Sequence, residues 1–182
     1  MSFRTRDNRN VEAIVDLTGT TVGITYSHDA VHRDVIVNAT IHSAGVSGDR
    51  LFLIRTGTPL QMHLVYRVIA DKIAVIRFYE GPTVTGVGTP ITKSRLHRPS
   101  NKPIQAIVNS QPTVSDNGTL IQELSNGGGG TGAGVSGGDL VHEDAEWVLK
   151  VDTDYLLVVN VATSTALSVE FEWYEVPAFP VV

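Results

Sequence analysis

The sequence has no cysteine, and only 18% of its 182 residues are charged. Without cysteine there is no disulfide framework, no thiolate nucleophile and no Cys-ligated zinc or iron–sulfur site. The charged fraction falls below the roughly 25% of an average globular protein, which sets aside a disordered polyelectrolyte. No apolar run reaches the ~18 residues of a membrane helix, and the opening MSFRTRDNRN lacks the apolar stretch of a signal peptide. Neither a membrane partner nor a secretory route is expected. A net charge of -5 gives no basic footprint for nucleic acid.

What is present is β-branched. Val (25), Ile (12) and Thr (18) stand well above Leu (13) and Ala (12). Such side chains lose rotamer freedom in helices and pack well on pleated surfaces, so the composition points to an all-β protein. A chain of this length can bury one sizeable core.

The polar start carries Arg4, Arg6 and Arg9 without periodicity, and residues 1–21 read as an extended arm that orders on docking. Val11–Leu17 fits a helical turn or a short strand. From Val22 strand signals follow one another. Val31, Val35, Val37, Ala39 and Ile41 alternate with polar positions, Ile36 being the one apolar breach. Gly45–Asp49 reads as a turn, Leu51–Arg55 as a strand buried on both faces, and Leu60–Ala70 and Ile73–Tyr79 as further strands.

Glu80–Pro103 holds four prolines and the basic residues Lys93, Arg95, Arg98 and Lys102, which marks a long loop or edge excursion. Asp116-Asn117-Gly118 is a turn signal between short strands. Asn126–Gly138 has eight glycines in thirteen residues, among them Gly127, Gly128, Gly129 and Gly130. It reads as a flexible loop or one pinned by a partner. Trp147–Val151, Tyr155–Val161 and Leu167–Tyr174 read as the closing strands, and residues 176–182 as an apolar, extended tail. The expected architecture is a β-sandwich over residues 22–175, with the jelly roll as its form.

Chemical motifs are weak. His28-Asp-Ala-Val-His32 looks like a zinc helix, but it runs into a strand pattern that sets its histidines about 13 Å apart. Gly132-Ala-Gly-Val-Ser-Gly137 matches a dinucleotide fingerprint without a strand before it and a helix after it. His142, Glu143, Asp144 and Glu146 lack Ca²⁺-loop spacing and read as a solvated loop or subunit-interface rim. No nucleophile elbow occurs. No catalytic residue, metal or cofactor is therefore expected. Phe78, Trp147, Tyr155, Phe171 and Trp173 sit in apolar alternation and read as core, leaving Tyr26, Tyr66 and Tyr174 as freer aromatics for a sugar or receptor ligand.

An ordered series of short motifs runs through the second half. Phe78-Tyr-Glu-Gly-Pro-Thr-Val84 precedes Gly88-Thr-Pro-Ile-Thr92. Pro112-Thr-Val114, Gly118-Thr-Leu120 and the glycine-rich loop follow. Glu146-Trp-Val-Leu-Lys150, Asp154-Tyr-Leu-Leu157 with Asn160, and Phe171-Glu-Trp-Tyr-Glu175 complete it. Over Leu51–Glu175 the chain resembles a group of tailed-bacteriophage virion structural proteins, β-sandwiches that look like capsid decoration or cement proteins. Here Lys93–Lys102 is basic where that group is Asn-rich, and the tail runs beyond the Trp-Tyr-Glu motif. The resemblance implies a non-enzymatic virion protein, made in the host cytoplasm and carried on the capsid exterior. Its partners would be the major capsid protein and sister copies, a trimer being favoured. Arg4, Arg6, Arg9, Lys93, Arg95, Arg98 and Lys102 are the candidate contacts to shell or sister subunits, together with the glycine-rich loop. A carbohydrate- or receptor-binding sandwich of the head, neck or tail is the alternative.

Overall fold

The computed structural model describes residues 4–6, 11–15, 21–25, 36–96, 98–99, 101, 103–125, 139–141 and 146–177. Among the described residues there is no helix. The chain divides into two compact units, Met1–Ile36 with Arg95–Lys102 and Val37–Ser94 with Pro103–Val182. In the first, β1 (Arg4–Arg6), β2 (Val11–Val15) and β3 (Thr21–Thr25) form an antiparallel meander. Arg4 pairs with Ile14, and Val11 with Thr25. The ambiguous segment at Val11 is thus a strand, and the described part of the expected arm is strand throughout.

The second unit is a β-sandwich built around two long strands, β4 (Ile36–Arg55, 20 residues) and β15 (Asp154–Pro177, 24 residues). β5 (Leu60–Ala70) pairs with the second half of β15, Leu167 against Ala70, while β6 (Ala74–Glu80) pairs with its first half, Val161 against Ala74. Asp71–Ile73 between them turns where Ala162–Ser164 of β15 becomes exposed. β4 adjoins β15, and side-chain pairs Asn38–Glu170, Asp49–Asn160 and Arg55–Asp154 run antiparallel along its length, offset by one residue between the first pair and the other two.

All these strands bend around one core. On β15 the odd positions Tyr155, Leu157, Val159 and Val161, then Leu167, Val169, Phe171 and Trp173, enter the same buried cluster. Ring contacts bridge the two layers, Phe52 to Phe171 at 5.6 Å, Tyr66 to Phe78 at 5.6 Å and Phe78 to Trp147 at 5.4 Å. β4 changes its inward parity, from Val37 and Ala39 to Val46, Phe52 and Ile54. The change falls at Gly45 and Gly48, both at positive φ (65° and 75°), so the expected turn at Gly45–Asp49 is instead an irregularity inside a continuous strand. Likewise the two expected strands Tyr155–Val161 and Leu167–Tyr174 are one.

A second feature places the surface. β7 (Thr83–Gly86), β8 (Thr89–Pro90), β9 (Lys93–Arg95), β10 (Ile107–Ser110), β11 (Thr113–Asp116) and β12 (Thr119–Ser125) fill the proline-rich stretch and its return. β6 pairs with β12, β7 with β11 and β8 with β10, so two chain segments form one long ribbon. It bends where Gly81 (φ 71°) meets Gly118 (φ 86°), and again where Gly88 (φ 79°) meets Gln111 (φ 53°). One end lies beside β15 and the other beside β4. The middle therefore arches over the outer side of the β15–β4 pair. Leu53 and Leu156 have outward parity yet are 1% and 0% exposed, and Asn109, opposite Leu53, donates to the Val87 carbonyl at 2.9 Å.

The free edge of β5 is interrupted too. β13 (Asp139–Val141) pairs with Arg67–Ile69 and β14 (Trp147–Leu149) with Met62–Leu64. Val141 stands against Arg67 and Trp147 against Leu64, so two positions of β5, Val65 and Tyr66, separate the two ladders on this edge.

Candidate functional site

Three polar residues stand in core register at strand ends. Glu80 continues the inward positions Ala74, Ile76 and Phe78 of β6, and Thr56 continues Phe52 and Ile54 of β4. Glu175 continues Phe171 and Trp173 of β15. A polar group at such a position is costly to bury unless bonded, and each of these is bonded several times.

Lys150 Nζ donates to Glu80 Oε1 at 2.6 Å, and the Tyr155 hydroxyl donates to Glu80 Oε2 at 3.1 Å. The same hydroxyl accepts the Lys150 N–H at 3.0 Å. The Lys150 ammonium, with help from Tyr155, holds the Glu80 carboxyl below its usual range, while burial pushes the Tyr155 phenol up to about 12. Alongside, Arg55 grips Asp154 through two bonds of 2.7 and 2.8 Å. Thr56 Oγ1 lies 2.8 Å from the Lys150 carbonyl and accepts the Thr153 N–H at 2.9 Å. Four segments are thereby fastened at one end of the sandwich.

Glu175 works on a different segment. Its carboxylate accepts the N–H of Gln105 at 2.9 Å, that of Ala106 at 2.8 Å and the Trp173 indole N–H at 3.1 Å. From the other side Lys93 Nζ donates to the carbonyls of Ala106 at 2.6 Å and Ile104 at 3.2 Å. Residues 104–106 thus lie between a carboxylate that takes their amides and an ammonium that takes their carbonyls.

At the β5 edge, His63 Nδ1 is 2.9 Å from Glu146 Oε1 and the ring stacks on Tyr174 at 4.6 Å. Tyr66, expected as a free aromatic, is 2% exposed; its hydroxyl donates to Gln122 Oε1, and burial raises its phenol pKa. Tyr66 fills the core because it holds the even, inward register of β5 between Leu64 and Val68. Tyr26 lies outside the described residues.

No family model, curated protein or solved structure matches this chain. Lys93 acts inside the fold, as above. Arg95 lies in β9 and Arg98 is exposed. Arg4 and Arg6 lie in β1, while Arg9, Lys102, Gly127, Gly128, Gly129 and Gly130 lie outside the described residues. So do the two histidines of the zinc-like motif and His142–Asp144. Among the described residues no group of three or more His, Asp or Glu could hold a metal ion.

The residues missed at first, Thr56, Glu80 and Glu175, had a legible signal. Each is a polar residue on the apolar parity of its strand.

On the outer face of β15, burial and the neighbouring Glu170 raise the Glu172 carboxyl pKa, and Arg67 partly offsets them. A carboxyl whose folded pKa lies above its unfolded one weakens the fold as pH rises through that interval. Glu172 is itself exposed, so solvent screening keeps the effect small, and Glu172→Gln is expected to raise Tm by less than about 2 °C at neutral pH. The gain should vanish below about pH 4, where both states are protonated, as differential scanning calorimetry across pH would show.

Proposed function

We propose that this chain is a non-enzymatic virion structural protein that binds and stabilises a bacteriophage capsid shell from outside, as a decoration or cement protein. The observation that carries the reading concerns the motifs of the resemblance. Glu80, Lys150, Asp154, Tyr155, Trp173 and Glu175 all serve as fasteners between strands. Motif residues used for rigidity suit a part whose work is to hold shape on a lattice. The proposal extends to the jelly-roll form of the sandwich, to a homotrimer, and to the major capsid protein as partner.

Binding in this reading needs no chemistry. Arg4, Arg6, Arg9, Arg95 and Arg98 meet acidic patches of the shell, and the glycine-rich loop touches shell or sister subunits. Repetition around a symmetry axis multiplies weak contacts into avidity. Quantitative mass spectrometry of purified particles tests it, with hundreds of copies per particle expected. A dozen or fewer would move the protein to the neck or tail and favour receptor binding, and absence from particles would end the proposal. Deleting residues 1–10 should lower shell occupancy at physiological salt; unchanged occupancy would remove the N-terminal segment from the contact.

A further inference from the structure

The ribbon corner between β11 and β12 carries a latent chemical site. Asn117 is exposed and followed by glycine, the dipeptide least protected by a side chain against attack of the backbone on the amide. In that reaction the Gly118 nitrogen loses its proton and bonds to Asn117 Cγ, and ammonia leaves. Water then opens the resulting succinimide to aspartate or isoaspartate. The fold opposes the first step. Gly118 N–H donates to Asp116 Oδ1 at 2.7 Å, which occupies the proton that must go. Gly118 also has φ 86°, and the site of a Cβ there lies 2.7 Å from the Gly81 carbonyl carbon and 2.8 Å from its oxygen. The Gly118 backbone is packed this closely against the carbonyls of Glu80 and Gly81, which opposes its turning toward Asn117 while the corner stays closed.

We propose that Asn117 is a deamidation site locked by the Asp116–Gly118 hydrogen bond and the close Gly81–Gly118 corner, and released when that corner opens. The isoaspartate product lengthens the main chain at a place with no spare room, so the corner does not re-form after conversion.

The test follows the mass gain of the Asn117 peptide in mildly alkaline buffer, using the full chain folded and in urea. Asn126-Gly127, the same dipeptide, serves as reference in urea, where the two rates should agree. Conversion at Asn117 is expected to be about tenfold slower in the folded chain, as for a group that reacts only through local opening. Asp116→Ala should speed it several-fold with circular dichroism unchanged, while Asp116→Asn, which keeps the acceptor oxygen, should stay near the wild-type rate. Equal folded and unfolded rates would overturn the lock. So would a folded Asp116→Ala chain that converts no faster than wild type. Should Asp116→Ala fail to fold, the wild-type comparison with urea and the Asp116→Asn rate decide the matter.

Discussion

Trp173→Ala is expected to cost about 3–5 kcal/mol of stability, the upper range for an enclosed aromatic side chain. Trp173 is 1% exposed and among the largest side chains of the core. Its removal leaves a cavity between layers that closely packed neighbours fill only in part. A second loss adds to the first, because the indole N–H is one of three donors on the Glu175 carboxylate that binds residues 104–106. Urea denaturation should show a lower midpoint at unchanged slope. Trp173→Phe keeps most of the volume and removes the donor, so its cost should be about 1–2 kcal/mol. Equal losses for the two variants would mean that packing contributes little here.

Gly118→Ala should be among the most damaging small changes on the ribbon, alongside Gly88→Ala. A left-handed backbone costs a residue with a Cβ roughly 1–2 kcal/mol. Overlap with the Gly81 carbonyl adds about 1–3 kcal/mol, since backbone on both sides has to move. Gly48 supplies the control. It has φ 75° but open space around its Cβ position, so Gly48→Ala carries the conformational cost alone. Thermal unfolding of the two variants separates strain from collision, and a Tm loss no larger for Gly118→Ala would refute the tight corner.

The layering was legible because period-2 alternation is a direct imprint of a half-buried strand. Leu167–Trp173 and Leu60–Ala70 show it, and both lie where expected. The continuity of β4 and β15 was hidden, because glycines in one and the exposed Ala162–Ser164 in the other look like loop punctuation. They are bends that both strands pass without leaving the sheet. Of Leu51–Arg55, expected to be buried on both faces, only Phe52, Leu53 and Ile54 are buried and Arg55 is exposed. The arch, formed by segments whose sequence contains no sign of Leu53, accounts for the burial of its outward position. The fasteners were overlooked for a related reason. A glutamate among aromatics resembles a solvent-facing residue until parity places it inward, and its partners on other segments lie 69 to 75 residues away.

The placement of β15 has a consequence for synthesis. The last strand of the sandwich sits at its centre, between β6 and β4 in one half and against β5 in the other. A nascent chain that has reached Ser125 already contains β4, β5 and β6 but not the strand that joins them. Asn38 waits for Glu170, 132 positions later. Closure of the core is thus postponed until β15 has left the ribosome. Such late, distant pairing slows folding and leaves apolar strand edges uncovered meanwhile. The sandwich should therefore close only once β15 has been made, with chaperone demand concentrated in the interval before it.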